Sequence, residues 1–370
     1  MLRYLAFGAL SILMSCTEYK ISDMFVSPEV AQASGQKTIH VFNANLRNTK
    51  QFGTGLGTER RDSLNFFDIE VLLPKDHKKG VVKLPKGRAN LKTDFVAIQR
   101  EPISATQSGA TMLQNLNAFS DAVWRSTHRN EAFIYIHGYN TPLPRAIARV
   151  AQIKEDVGTQ IPGIAFTWPS ASSLRGYVYD RDSAVFSRDE LETTIRALTD
   201  RPNKKLFVWA HSMGSFLTME VLRQMHLRDP GSIRKRVNAI ALVSPDIDRQ
   251  VFESQLNDIG RENLPDEFFI FTNGGDLPLR LSSIITGGAQ RIGGLVGADS
   301  ARGSSDSDVA IFRQKYGTQV VPMDAFADEA GRLGHNIPTQ SGRAMACISE
   351  AIKRRQIAQA PIEWSCAPSK

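Results

Sequence analysis

Leu206-Phe-Val-Trp-Ala-His-Ser-Met-Gly-Ser215 is the stretch that most restricts what this chain can fold into. Its apolar first half reads as a buried strand, and it passes without a spacer into Ala210-His-Ser-Met-Gly214. From Met213 onward, Leu217, Val221, Leu222 and Met225 recur at helical spacing, so a helix starts where the strand stops. A reversal that abrupt leaves space only for small side chains two residues before and two after Ser212. Gly214 satisfies this, and Ala210 exceeds glycine by one methyl. Such a turn lifts the serine hydroxyl to the carboxyl end of a sheet, against the partial positive charge of a helix amino terminus. Ser212 is therefore the expected nucleophile, a plain helix-capping serine being the alternative.

A hydroxyl of ordinary acidity needs a base, and the base needs an orienting acid. Around a strand–turn–helix serine the chain order is serine, acid, histidine. His335, in Leu333-Gly-His-Asn336, is the only histidine after His226 and follows the last expected strand, which makes it the expected base. His226 falls on the helix after Ser212, while His40, His77 and His128 precede the core strands and read as structural or exposed. Asp276 ends the Gly-rich turn Phe271-Thr-Asn-Gly-Gly-Asp276 and is the preferred acid. Asp246 and Asp248, in Ser244-Pro-Asp-Ile-Asp248, stay open as alternatives one strand earlier, and Asp324 reads as a turn residue. Backbone N–H groups of Met213 and Tyr139 are the expected oxyanion donors. Gly138 permits close approach there, and His137 supports the loop. Trp168, Pro169 and Tyr177 read either as lining of an acyl pocket or as packing at the sheet end.

Strand-like runs recur at 38–44, 66–73, 95–100, 132–137, 161–168, 206–210, 237–244, 267–272 and 319–323. Helical periodicity covers 109–125, 144–157, 187–198, 213–227 and 339–355. Short apolar strands alternating with helices imply an α/β fold, a mostly parallel central sheet with helices on both faces. Gly53, Gly55 and Gly57 lack the flanking strand and helix of a phosphate loop. Residues 282–308, rich in Gly and Ser, read as a long loop.

The amino terminus carries a different signal. Arg3 precedes an apolar run from Tyr4 to Met14, too short to span a bilayer, and Leu13-Met-Ser-Cys16 resembles a bacterial lipoprotein cleavage site. Residues 1–15 then form a signal peptide, Cys16 takes lipid, 16–36 form a tether, 37–356 the domain and 357–370 a tail. This predicts a cell-envelope protein held to the membrane by its lipid, at the outer membrane in a diderm host, with a periplasmic or secreted protein as the alternative. Of the three cysteines, Cys347 and Cys366 are left as a disulfide pair or as two thiols. A net charge of +7 is modest and spread out, and no zinc-ligand spacing or nucleic-acid motif accompanies it, so nucleic acid is not an expected partner.

The segments Val41-Phe-Asn-Ala-Asn-Leu-Arg47, Val71-Leu-Leu-Pro-Lys-Asp-His77, Ile136-His-Gly-Tyr-Asn140, Phe166-Thr-Trp-Pro-Ser170, Ala210–Gly214, Ser244–Asp248, Asp276–Ser282 and Gly334-His335 together resemble an α/β-hydrolase group, domain-of-unknown-function family 900. The resemblance runs over 37–345, with Asn45 where that family usually has Thr. It implies an α/β-hydrolase fold and a Ser-His-Asp triad, and no particular substrate. The expected activity is hydrolysis of carboxylic esters or thioesters through an acyl-enzyme, on a small acyl ester or lipid-like substrate, with no metal and no cofactor. A non-catalytic envelope lipoprotein on a degenerate fold, a serine peptidase and an acyltransferase are the alternatives.

Overall fold

The computed structural model describes residues 21–47, 59–98, 102–104, 109–295, 306–331 and 333–358. Ten strands form one sheet: β1 Phe25–Val26, β2 Thr38–Arg47, β3 Arg60–Leu72, β4 Val96–Ile98, β5 Glu131–Ile136, β6 Gly163–Thr167, β7 Lys205–His211, β8 Val237–Val243, β9 Glu267–Thr272 and β10 Gln319–Pro322. Their spatial order is β1-β4-β3-β2-β6-β5-β7-β8-β9-β10. β3 pairs antiparallel with β2 and with β4, and every other pairing is parallel. The expected mostly parallel α/β architecture is what the chain adopts.

The central strands are apolar throughout because both faces are covered. Side chains alternate between two cores, as the period of a strand requires. Ile134, Ile136, Val208, Leu242 and Ile270 enter one core, which the helices Met112–Arg125, Arg188–Thr199, Met213–Arg228 and Arg249–Ile259 complete. Phe133, Tyr135, Trp209, Val243 and Phe271 enter the other, beneath the helices Leu143–Val157 and Gly342–Ala358. Each fully buried Leu, Ile or Phe contributes about 1.5–3 kcal/mol, so the two cores fix the sheet strongly. Because β5 to β10 run the same way, the loops after them converge at one edge, where α/β sheets present their functional groups.

Several segments differ from expectation, among them the unexpected helices Arg249–Ile259 and Asp306–Tyr316. Tyr177–Phe186 forms a helix that periodicity does not reveal, because its buried positions are Asp180, Ser183 and Ala184, small or polar. The expected tether is ordered from residue 21: Met24 is buried, β1 pairs with β4, and Pro28–Ser34 is a helix. Ser27 caps that helix and Gly35, at φ 60°, ends it, both local signals that the polar composition conceals. The expected loop over 282–308 contains the end of a helix, Leu277–Ile285, and a short turn of helix at Ile292–Gly294. Cys347 lies on the last helix and is disulfide-bonded. The signal segment, Cys16, Gly53, Gly55, Gly57 and Cys366 lie outside the described residues.

Candidate active site

Ser212 follows β7 with φ 53° and ψ −120°, a conformation that costs a non-glycine residue about 1–3 kcal/mol. Its surroundings hold it there. Ser212 N donates to Val243 O at 2.8 Å, Ser215 N donates to Ser212 O at 2.9 Å, and Asp246 N reaches the same oxygen at 3.3 Å. Ala210 is fully buried, so its methyl group is accommodated. Gly214 has no such latitude: a Cβ there would collide with the backbone oxygens of Ile136 and His137. Gly214→Ala should therefore destabilise the fold by about 1–3 kcal/mol, the usual cost of overpacking. Urea unfolding measures this, and a midpoint equal to wild type would refute the close contact.

The loop after β5 lies directly over the serine. A Cβ on Gly138 would meet His211 Nδ1 at 2.8 Å and Ser212 Cβ at 2.9 Å. His137 stacks on Trp168 with ring centroids 4.6 Å apart, and Trp168 Nε1 donates to His137 O at 2.8 Å. Trp168 is wholly buried and braces the loop. Asp180 adds a second brace, accepting from Asn140 N at 2.9 Å, Ala171 N at 2.5 Å and Ser170 Oγ at 2.7 Å. Burial, helped by Asp180, pushes the Tyr139 hydroxyl up to about 12, so it stays a donor, to Leu174 O. The backbone N–H groups of Tyr139 and Met213 donate to no group among the described residues.

His335 Nδ1 faces both oxygens of Asp276, at 2.9 and 2.8 Å. Asp276 is buried and also caps the helix Leu277–Ile285, accepting from Leu279 N at 3.0 Å. One carboxylate thus holds the imidazole and is itself held by a helix amino terminus. Two further bonds fix the histidine segment: Asn273 Nδ2 donates to Gly334 O at 2.7 Å, and Leu277 N to Leu333 O at 3.2 Å. The His335 ring meets that of His211, the residue before Ser212, at 4.8 Å between centroids. Ser212 Oγ makes no hydrogen bond among the described residues, a looseness common before substrate tightens a site.

The alternative acids are engaged elsewhere. Asp248 caps the helix Arg249–Ile259 through Val251 N at 3.1 Å. Asp246 is buried, accepts from Ser282 Oγ at 2.6 Å and Tyr177 OH at 3.0 Å, and faces Arg291 Nε at 3.3 Å. Tyr177 thereby belongs to a buried polar network. Asp324 accepts from Gly274 N at 3.1 Å, as a turn residue would.

Sequence reasoning does not single out His211, Asp180 or Arg291. Asp180 sits on the helix that lacks periodicity, and nothing in the motif around Ser212 marks His211 as an imidazole packed on His335. Burial holds His211 well below its ordinary 6.5, and the neighbouring His335 adds to that. It is therefore neutral when folded, and the unfolded chain binds its proton first as pH falls. Stability linked to His211 is intact above 6.5 and is lost as pH drops below it. Wild type should lose stability relative to His211→Asn below that pH, by up to about 1.4 kcal/mol per pH unit. Parallel pH profiles of the two unfolding energies would contradict this.

Residues 114–345 match the family described as alpha/beta hydrolase of unknown function (DUF900). The chain belongs to this family. The match to this hydrolase is shorter than the expected 37–345, so Val41–Arg47 and Val71–His77 fall outside it. An uncharacterized protein of Nostoc sp. (strain PCC 7120) is 38% identical over 63 residues, which is 17% of this chain and 16% of that protein. The chain thus matches only a small part of that relative's length. A solved protein from Pectobacterium atrosepticum, described as YdeN-like hydrolase, is 12% identical with a TM-score of 0.31, over 62% of this chain and 95% of its own. Another, from Xanthomonas campestris pv. campestris and described as a hydrolase of the alpha/beta superfamily, is 15% identical with a TM-score of 0.32, over 60% and 99%.

Proposed function

We propose that this DUF900 hydrolase is a serine esterase of carboxylic esters or thioesters. Ser212 Oγ attacks the acyl carbonyl while His335 takes its proton. Asp276 stabilises the resulting imidazolium, and the oxyanion is received by the N–H groups of Met213 and Tyr139. His335 returns the proton to the leaving alcohol or thiol, leaving an acyl-enzyme. Water, deprotonated by the same histidine, then releases the acid and restores the serine.

The observation that carries this reading is the two-oxygen contact of buried Asp276 with His335 Nδ1, beside a serine strained onto a turn. The N–H groups of Met213 and Tyr139 donate to nothing among the described residues, an arrangement suited to a developing negative charge. A graded series of p-nitrophenyl esters tests it against wild type, Ser212→Ala and His335→Ala. Equal turnover by all three would sink the mechanism. A fluorophosphonate should add its mass to the Ser212 peptide alone. We also read Cys16 as a lipid attachment point at the cell envelope, so metabolic labelling with palmitate should mark wild type and not Cys16→Ala.

A further inference from the structure

Large apolar side chains scattered singly over a surface are ordinary; their concentration in one place is not. Among the described residues, seven of the thirteen exposed large hydrophobic side chains belong to three segments bonded to the candidate site, each between 46% and 73% exposed. Leu277, Leu281, Ile284 and Ile285 occupy positions i, i+4, i+7 and i+8 of the helix that Asp276 caps, a single stripe along its solvent side. The opposite side of that helix buries Leu279 and Ser282. Leu333 joins the stripe, since its carbonyl accepts from Leu277 N.

The other wall is built from the segment after β6. Tyr177 OH bonds Ser282 Oγ at 2.9 Å, which ties the segment carrying the exposed Val178 to the buried side of the apolar helix. The Leu174 carbonyl accepts from Tyr139 OH, bringing that leucine beside the loop over Ser212. Ser212 itself is only 3% exposed, below this rim.

We infer that this rim docks on an anionic lipid surface, from which the site draws a lipid ester. The inference rests on the esterase reading and narrows it to substrates held in a bilayer. Charge points to the sign of the surface. Residues 170–179 and 277–295 contain three charged residues, all arginine, and no acid; in the segment before Leu333, Asp328 and Glu329 are paired with Arg343 and Asp324 accepts from Gly274 N. Arg291 is buried against Asp246, while Arg175 and Arg280 are exposed among the leucines and isoleucines. Apolar side chains that enter the acyl boundary, flanked by arginines at headgroup level, are the composition of an interfacial helix. A second protein seated on the rim would close the approach to Ser212, whereas a lipid surface supplies what Ser212 acts on.

The test uses the chain from residue 16 onward carrying Cys16→Ser, so that neither the apolar signal segment nor a lipid contributes, with and without Leu281→Asp and Ile284→Asp together. Wild-type rim should sediment with phosphatidylglycerol–phosphatidylethanolamine vesicles more than with phosphatidylcholine vesicles. The double substitution should weaken that binding, and hydrolysis of p-nitrophenyl palmitate embedded in the vesicles, by about tenfold or more. Turnover of dissolved p-nitrophenyl acetate should stay near wild type, which shows that the variant is folded and its site intact. Arg280→Glu should remove the preference for anionic vesicles. Unchanged vesicle binding and palmitate hydrolysis in the double variant would overturn the inference. So would a wild-type dimer that ignores vesicles and that the double substitution splits, since the stripe would then join two copies of this chain. If no ester is turned over at all, the esterase reading fails, while sedimentation still reads the rim independently.

Discussion

Ser212→Ala should lower ester turnover by about ten thousandfold or more, to what binding and the oxyanion donors alone supply. Its stability should change little or rise, because a strained conformation gains nothing from the hydroxyl and Ser212 Oγ makes no hydrogen bond among the described residues. The pairing of these results is what matters. A folded variant with the wild-type unfolding midpoint, no fluorophosphonate label and no turnover assigns the nucleophile. A folded variant that still hydrolyses esters would move the chemistry elsewhere.

The second large effect separates the acids. Asp276→Asn keeps the cap of the helix Leu277–Ile285, since asparagine caps about as well as aspartate. It removes the negative charge facing His335 Nδ1 and favours the wrong tautomer, so kcat should fall by about ten thousandfold with the fold intact. Asp246→Asn should act in the opposite sense. It leaves the buried Arg291 facing no charge, a loss that typically costs about 3–5 kcal/mol, while His335 keeps its partner. Turnover per folded molecule and the thermal midpoint, measured on both variants, decide the matter. If Asp246→Asn is the one that silences a stable enzyme, the acid is misassigned.

The fold was largely legible because its determinants are local. Continuous apolar runs at β5 to β9, each followed by a turn and mostly by a helix, leave little choice but a parallel sheet. The turn at Ser212 was legible for the same reason, since sterics alone demand Gly214. Order and elimination make His335 the expected base, and the structure sets its Nδ1 against Asp276. Choosing between Asp276 and Asp246 could not be done that way, because both follow core strands and both are buried. The difference lies in partners distant in sequence: Asp276 meets His335 across 59 residues, and Asp246 meets Arg291 instead. The helix Tyr177–Phe186 was invisible because it packs Asp180, Ser183 and Ala184 inward, so hydrophobic periodicity has nothing to report. Asp180, and with it the bracing of the loop over Ser212, was lost along with that helix.

Asp276 belongs at once to the histidine and to the first turn of the apolar helix. The two ends of that helix are therefore under unequal constraint. On the proposed mechanism, changes near Leu277 and Leu279 would act through the cap on the position of the imidazole, so that end should be closed to variation. Ile284 and Ile285, two turns away, can change character while the proton path stays as it is. Under the inferred docking, descendants of this chain, natural or designed, would have at that far end a place to alter what they take up without relearning how to cleave it.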